Sequence, residues 1–297
     1  MATSLLTRVR AKIDFHTSYR ARGIIQGRGR SLFKGSGEDF DDLRTYQQGD
    51  RISDIDWKAT ARSNEPLIRQ FTEQRVRHIC LLVDTSSGMS ATAADGTVKS
   101  NAMLTAAGLI CYAASRHGDL VGLVAGHRGA PVTLPARSAT AHLERVLQTV
   151  QRSTTWSSPP ADIAWLLDQA RYCISQPSLL VLLTDDAHPH PSDYDRLRKL
   201  RFRHDVLTIR VRDADPLQPK SMRRQVTDID LPRHIPSFAR SSLTVQNEVR
   251  KWKKRRRQQI DGMLVRLGID DVLVSGESDV VPAIIKILGR RGRRGRR

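Results

Sequence analysis

Short apolar runs alternate along the chain with longer segments in which apolar residues recur every three or four positions. Strands buried on both faces are indicated by the runs "HICLLVD", "DLVGLVAG", "SLLVLLTDD" and "HDVLTIRV". A short edge strand or extended piece is predicted at "PVTLP". Strands and helices that alternate at this spacing predict an α/β fold built on a doubly wound, mainly parallel sheet.

The segments between these runs predict helices with one apolar stripe. The clearest is residues 98–117, where the stripe comprises Met103, Ala106, Ala107, Ile110, Ala113 and Ala114. Further helices are predicted from Ser138, in "IAWLLDQARYCI" and in "PSDYDRLRKLRF". After Asp213 the pattern loosens into a proline-punctuated loop with one short strand. A long basic helix is then expected at residues 245–267, followed by one more strand and helix in "DDVLVSGESDVVPAIIKIL".

These patterns divide the chain into four parts. Residues 1–77 begin with a short helical pattern, are rich in arginine and glycine, and are expected to form an irregular N-terminal arm. Residues 78–213 form the predicted α/β core. Residues 214–289 contain the loop, the basic helix and a strand and helix that return to the core. Residues 290–297, "RRGRRGRR", are expected to be a disordered basic tail.

The net charge of +18 is concentrated in two blocks. Residues 290–297 hold six arginines, and residues 250–257 hold seven basic side chains. The second block could bind the phosphates of nucleic acid or an anionic membrane surface through Arg250, Lys251, Lys253, Lys254, Arg255, Arg256 and Arg257. A solvated helix face and a solubilising tail are the alternatives.

No apolar segment is long enough to cross a bilayer, since the longest, "MLTAAGLICYAA", covers a dozen residues where about 18 to 20 are needed. The N-terminal residues lack the apolar stretch of a secretory signal. We therefore expect a cytoplasmic protein without a transmembrane segment, with peripheral membrane attachment as the alternative.

Two predicted strands end in aspartate, Asp84 and Asp185, at the edge where parallel sheets bind ligands. The segment "DTSSGM", followed by an Ala-rich helix and then "LLVLLTDD", resembles the von Willebrand factor A fold with its metal-ion-dependent adhesion site. That resemblance implies a degenerate Mg²⁺ site at Asp84, Ser86 and Asp185. The family's second serine falls on Gly88, and its loop threonine falls on Ala161, with Thr154, Thr155, Ser157 or Ser158 as substitutes. Alternatively, Asp84 and Ser86 only cap the following turn.

The chain offers no recognisable catalytic constellation. The serines near Asp84 lack a nucleophile elbow, and neither a Walker loop nor a G-x-G-x-x-G motif occurs. The oxygen ligands are too few for a metallohydrolase, and no general base is evident. His188 and His190 lie between prolines and are interpreted as solvated loop residues. The sequence therefore predicts a protein that is not an enzyme.

The stretch "GSGEDFDDLRTYQQGDRISDIDWKATAR" resembles the signature of a bacterial family called domain of unknown function 58. The matching positions are Phe40, Leu43, Arg44, Tyr46, Gly49, Asp50, Ile55, Asp56, Trp57, Ala61 and Arg62. Ser53 departs from the pattern, which usually has a basic residue there. The resemblance implies a scaffold that acts with a MoxR-type AAA+ ATPase in the assembly or maturation of other proteins. The sequence does not identify which protein is assembled or matured.

Two roles remain open for the acidic residues of this stretch. Asp50, Asp54 and Asp56 could form an acidic cluster for a cation or a basic partner. In the structural alternative, Asp50 closes a turn, Asp56 pairs with Arg44 or Arg62, and Trp57 is buried against the sheet. We expect a non-enzymatic interaction module overall. A nucleic-acid or anionic-surface binder that uses the basic blocks is the alternative.

Overall fold

The computed structural model describes residues 4–16, 39–47, 50, 52–63, 65–72, 76–127, 131–215, 217, 228–229, 234 and 241–294. In chain order the helices and strands are α1 (Leu5–His16), β1 (Asp39–Thr45), α2 (Trp57–Ser63), β2 (Leu67–Thr72), β3 (His78–Asp84), α3 (Lys99–His117), β4 (Leu120–Gly126), β5 (Val132–Arg137), α4 (Thr140–Ser153), α5 (Ile163–Cys173), β6 (Leu179–Asp185), α6 (Tyr194–Arg203), β7 (Asp205–Val211), α7 (Leu243–Arg266), β8 (Asp270–Val274) and α8 (Glu277–Arg294). The chain divides into two compact units, one made of Met1–Leu32 with His78–Arg297 and the other of Phe33–Arg77.

The larger unit is built on a six-stranded sheet with the order β5-β4-β3-β6-β7-β8. Neighbouring strands are parallel, except that the edge strand β5 runs antiparallel to β4. The chain enters in the middle of the sheet and winds outwards in both directions, which is the doubly wound topology. The predicted fold class is therefore confirmed.

Helices cover both faces of this sheet because its central strands are apolar on both faces. One layer contains α5, α6 and α7, which share an apolar cluster with Leu82 and Leu180. The neighbouring side chains Leu81 and Val181 are fully buried outside that cluster. Since successive side chains of a strand point to opposite faces, they lie on the side of the second helical layer, formed by α1, α3, α4 and α8.

Helix α1, which the sequence predicts as part of the N-terminal arm, belongs to the same unit as the sheet. Its apolar residues Leu6 and Val9 are buried. Glu144 of α4 accepts hydrogen bonds from the backbone N–H groups of Leu5 and Leu6 at 2.9 and 3.1 Å. A carboxylate at a helix N-terminus satisfies N–H groups that have no partner within the helix. Two apolar residues and this cap therefore dock α1 on the larger unit.

The smaller unit is more regular than the irregular arm that the sequence predicts. Strands β1 and β2 pair in an antiparallel ladder, in which Arg44 lies opposite Ile68. Residues Ile52–Asp54 form a 3-10 turn, and α2 follows it. The aspartates and arginine of "DFDDLRT" interrupt any apolar run in β1, so its sequence carries no clear strand pattern.

The C-terminal elements follow the predicted order of basic helix, strand and helix. Helix α8 continues to Arg294, so residues 290–294 of the predicted disordered tail are helical, and the last three residues lie outside the described part of the chain. Most of the loop predicted after Asp213 also lies outside it. No helix within the described ranges is long and apolar enough to span a bilayer.

Candidate functional site

Three segments meet at the carboxyl ends of the central strands, and we call them the rim: residues 84–99, 185–190 and 212–213. Backbone hydrogen bonds hold them together: Ala94 N–H donates to the carbonyl of Arg212, and Asp186 N–H donates to that of Val211, the residue just before the third segment, both at 2.9 Å. Parallel strand order brings these distant segments together. The rim is the candidate functional site.

Asp84 ends β3, and its side chain is satisfied within the protein. Its Oδ1 accepts a hydrogen bond from the N–H of Ser86 at 2.9 Å, and its Oδ2 accepts one from Thr184 Oγ1 at 3.0 Å. Burial, and secondly the negative charge of Asp185, raises the pKa of Asp84. Asp84 thus holds the following turn and ties β3 to β6, the role proposed as the alternative to metal binding.

Ser86 and Asp185 face the same small space, beside Gly88. A methyl group placed on Gly88 would lie 3.5 Å from Ser86 Oγ and 3.6 Å from Asp185 Oδ2. The structure therefore brings Asp84, Ser86 and Asp185 to one rim. Among the described residues, the buried hydroxyls of Thr85 and Ser86 have no hydrogen-bond partner.

Asp185 accepts hydrogen bonds on both of its oxygens. Its Oδ1 lies 3.0 Å from the N–H of Ala187 and 3.0 Å from Nδ1 of His188, and its Oδ2 lies 3.2 Å from Lys99 Nζ. Burial opposes ionisation, but the hydrogen bond from His188 and the charge of Lys99 outweigh it and lower the pKa of Asp185. Asp185 is therefore an ionised carboxylate between two basic groups.

Lys99 is a member of the site that the sequence analysis missed. Its side chain is 2% exposed, and its Nζ also donates to Asp213 Oδ1 at 2.5 Å. Burial opposes the charge, but Asp185 and Asp213 outweigh burial and raise the pKa of Lys99. A signal was present, because Lys99 stands four residues before Met103, in line with the apolar stripe of α3.

The interpretation of His188 as a solvated loop residue is wrong, since its side chain is 15% exposed. Its ring meets that of His190 edge to face, with centroids 5.0 Å apart. Arg256 of α7 donates to the carbonyl of Ala187 at 2.7 Å and lies 3.2 Å from His190 Nε2. His190 itself is exposed. The loop after β6 is thus held between Asp185 and the basic helix.

The basic helix α7 uses part of its charge inside the protein. Arg257 pairs with Asp186 at 3.1 Å, in addition to the contacts of Arg256. The predicted anion-binding set is therefore divided. Arg256 and Arg257 contact the rim, and Lys253 is half-buried. The exposed members are Arg250, Lys251, Lys254 and Arg255. Lys251 also pairs with Glu248 at 2.8 Å. Trp252, 56% exposed, lies on the same helix.

The loop expected to supply a threonine ligand is largely bonded to itself. Thr155 Oγ1 lies 3.3 Å from Ser157 Oγ and 3.0 Å from Ser158 Oγ, and Thr154 Oγ1 donates to the carbonyl of Val150. Contact with the rim is made by the carbonyl of Pro159, which accepts from the N–H of Ser87 at 3.2 Å. Ala161, at the position matching the family's threonine, has no oxygen to offer.

The signature residues lie in the smaller unit. Asp50 closes a turn by accepting from the N–H of Gln47 at 2.8 Å, and Arg44 grips both of its oxygens at 2.5 and 2.7 Å. These hydrogen bonds, that of Arg44 first, lower the pKa of Asp50. Asp56 caps the start of α2 by accepting from the N–H groups of Lys58 and Ala59.

The other signature positions surround these turns. Ile55 forms a β-bridge with Ile68, which is buried. Trp57 is 65% exposed, so the prediction that it is buried against the sheet is wrong. Gly49 and the side chain of Asp54 lie outside the described set. The remaining signature residues with described backbone are Phe40 and Leu43 in β1, Tyr46 after it, and Ala61 and Arg62 in α2.

Similar proteins are known for most of the chain. Two of them are uncharacterised mycobacterial proteins, Rv1480 of Mycobacterium tuberculosis (strain ATCC 25618 / H37Rv) and Mb1516 of Mycobacterium bovis. Each is 31% identical over 209 residues, which cover 68% of this chain and 63% of the relative. The chain thus spans 63% of the length of these curated relatives.

Two solved structures are similar at 14% sequence identity. One is an aerotolerance-related membrane protein from Bacteroides fragilis NCTC 9343, with a TM-score of 0.45, over 73% of this chain and 100% of the other. The second is a von Willebrand factor type A protein from Catenulispora acidiphila, with a TM-score of 0.40, over 76% of this chain and 44% of the other. The family model described as protein of unknown function DUF58 matches residues 42–233. The chain belongs to the DUF58 family.

Proposed function

We propose that the chain is a non-enzymatic interaction module whose rim docks a MoxR-type AAA+ ATPase during the assembly or maturation of other proteins. DUF58 membership and the von Willebrand factor A-like fold suggest a protein-interaction module. The observation that carries the proposal is the meeting of Asp84, Ser86 and Asp185 at one edge of the sheet. In parallel sheets this edge is where ligands and partners bind.

The chemistry of the rim supports binding over catalysis. A serine nucleophile needs a base such as histidine within hydrogen-bonding distance, and no hydrogen bond links Ser86 Oγ to a histidine among the described residues. His188 lies against Asp185, and Asp185 is neutralised further by Lys99. Charged groups that are buried and satisfied by one another hold the loops of the rim in a fixed arrangement, which suits recognition.

The test is a binding measurement between the purified chain and a MoxR-type ATPase of the same organism. Thr92 is an exposed residue of the rim, so Thr92→Arg alters the docking surface without changing the core. Thr140→Arg is the matched control, since Thr140 is exposed and follows β5, which runs to the opposite edge of the sheet. We expect Thr92→Arg to weaken binding at least about tenfold, which is a typical effect at an interface centre, and Thr140→Arg to leave it unchanged. Equal affinities for both variants, or no binding by the wild type, would refute the proposal.

A second candidate function is attachment to an anionic surface of membrane or nucleic acid. The exposed basic residues of α7, with Trp252 beside them, favour it, because an aromatic ring among cations suits such surfaces. Sedimentation with vesicles containing phosphatidylserine, and gel shift with single-stranded DNA, separate the two ligands. Binding that does not weaken between 50 and 200 mM salt would contradict this function.

A further inference from the structure

The divalent cation implied by the von Willebrand factor A resemblance does not fit the rim. Mg²⁺ prefers six oxygen ligands in an octahedral array. Both oxygens of Asp84 and both oxygens of Asp185 already accept hydrogen bonds from the protein. A glycine stands where the family has its second serine. Within the described ranges, no group of three or more His, Cys, Asp or Glu side chains is arranged to hold a metal ion.

We propose that Lys99 is the built-in cation of the rim and takes the place of a divalent ion. Its ammonium group lies 3.2 Å from Asp185 Oδ2 and 2.5 Å from Asp213 Oδ1. It thereby bridges a carboxylate at the end of β6 and one just after β7. The side chain is 2% exposed, so the ammonium group is withdrawn from water and relies on these partners.

The position of Lys99 is set by the core of the protein. Lys99 is the first residue of α3, and Met103, one turn further along, is also buried. Its backbone N–H donates to the carbonyl of Ala91, which fixes the preceding loop. The packing of α3 therefore fixes the position of the ammonium group at the rim. It is present in every folded molecule, irrespective of the metal content of the medium.

A divalent ion bound to Asp185 would be in direct repulsion with this ammonium group. Asp185 and Asp213 together carry two negative charges, fewer than the three positive charges of a divalent ion and Lys99. Metal binding would require Lys99 to leave, which would expose a buried stem and break two ion pairs. The rim is thus assembled without metal, and its recognition of partners does not depend on divalent ions.

Thermal unfolding of the purified chain, with and without divalent ions, tests this inference without any partner. We expect the Tm of the wild type to be the same in 1 mM EDTA and in 5 mM MgCl₂, MnCl₂ or CaCl₂. Calorimetric titration with MgCl₂ should show no saturable binding. A saturable rise in Tm that Asp185→Asn abolishes would overturn the proposal, even if every lysine variant fails to fold.

Replacing the lysine should create the metal dependence that the wild type lacks. Lys99→Ala leaves Asp185 and Asp213 without their shared cation, and we expect its Tm in EDTA to fall by roughly 10 °C. Mn²⁺ or Ca²⁺ should restore much of this loss, because two carboxylates and open space then suit a hard cation. If the variant does not fold in EDTA, recovery of helical circular dichroism on refolding with the ion is the readout.

The control variant is Lys254→Ala, which removes the same charge from an exposed position on α7. Its Tm should remain close to that of the wild type and should not respond to divalent ions. A folded Lys99→Ala protein that ignores all three ions would contradict the inference. So would a response of equal size in Lys254→Ala, since the effect would then arise from net charge.

Discussion

The docking of α1 depends on the missing side chain of Gly108 in α3. A methyl group on Gly108 would lie 2.5 Å from Val9 Cγ2 and 3.1 Å from both Val9 Cβ and Val9 Cγ1. Val9 is 5% exposed and branched at Cβ, so its rotation within a helix is restricted. The substitution Gly108→Ala therefore forces α1 away from α3, or forces a shift in the backbone of one helix.

Two opposing effects set the size of this change. Alanine is favoured over glycine inside a helix by about 1 kcal/mol. Overpacking a well-packed contact costs about 1–3 kcal/mol. Since Val9 cannot yield by rotation, we place the cost at the upper end, so that Gly108→Ala lowers the free energy of unfolding by about 1–2 kcal/mol.

Gly262 in α7 provides the matched control, because a methyl group there would meet no described atom within 4 Å. Gly262→Ala should raise the free energy of unfolding by up to about 1 kcal/mol. Urea unfolding followed by circular dichroism measures both variants, provided that the slope with denaturant is unchanged. In a Val9→Ala background, Gly108→Ala should be much less destabilising, because both Val9 Cγ atoms are gone and only the Cβ atom, at 3.1 Å, remains. If Gly108→Ala is as stable as Gly262→Ala in the wild-type background, this account of α1 docking is wrong.

Two further predictions concern ion pairs and caps of the larger unit, both measured by urea unfolding. Arg210 in β7 is 0% exposed and pairs at 2.6 Å with Asp271 and with Asp261. Asp271→Ala should cost about 2–3 kcal/mol, because Arg210 loses charge-assisted hydrogen bonds but keeps Asp261. Glu248→Ala, at an exposed pair, should cost at most about 1 kcal/mol, and equal costs would contradict this. The second prediction concerns Glu144, which caps α1. Burial acts to raise the pKa of Glu144, but hydrogen bonds from Leu5, Ser4 and Leu6 outweigh burial and lower it. The stability from this cap, about 1 kcal/mol, should therefore be present at pH 7 and lost as the pH falls below about 4.5, and this pH dependence should be absent in Glu144→Gln, whose amide does not titrate.

The sheet was predictable because its central strands carry their own signal. An apolar run such as that of β6, buried at every position, can be satisfied only between two helical layers, so sequence alone indicates both the strand and the architecture. Strand β1 lacks such a run, because aspartates and an arginine interrupt its sequence. It forms a sheet by pairing with β2. Pairing between strands 22 or more residues apart is not visible in the pattern of either one, and β1 and β2 were missed for that reason.

The rim was predictable in part for a similar reason. Parallel order takes the ends of β3 and β6 to one edge, so the aspartates that end them could be placed together before any coordinates. The contact between Lys99 and Asp213 could not be predicted, because the apolar stripe of α3 marks Lys99 as buried but does not show which carboxylate it meets once α3 has packed. The contacts of Arg256 and Arg257 with the rim could not be predicted either, since a basic block in the sequence does not show which of its members face inwards.

The distribution of charge at the rim constrains how a partner can approach. Asp185 pairs with Lys99 and accepts a hydrogen bond from His188, and Asp186 pairs with Arg257, so these carboxylates offer a distant basic surface less charge than free carboxylates would. The residues that a partner can touch include His190 and those of the loop before α3, where Thr92 and Val98 are exposed. Recognition at such a surface relies on shape and short-range hydrogen bonds, which are less sensitive to salt than charge pairing. A complex with the rim should therefore persist at an ionic strength that releases the exposed basic face of α7 from an anionic surface.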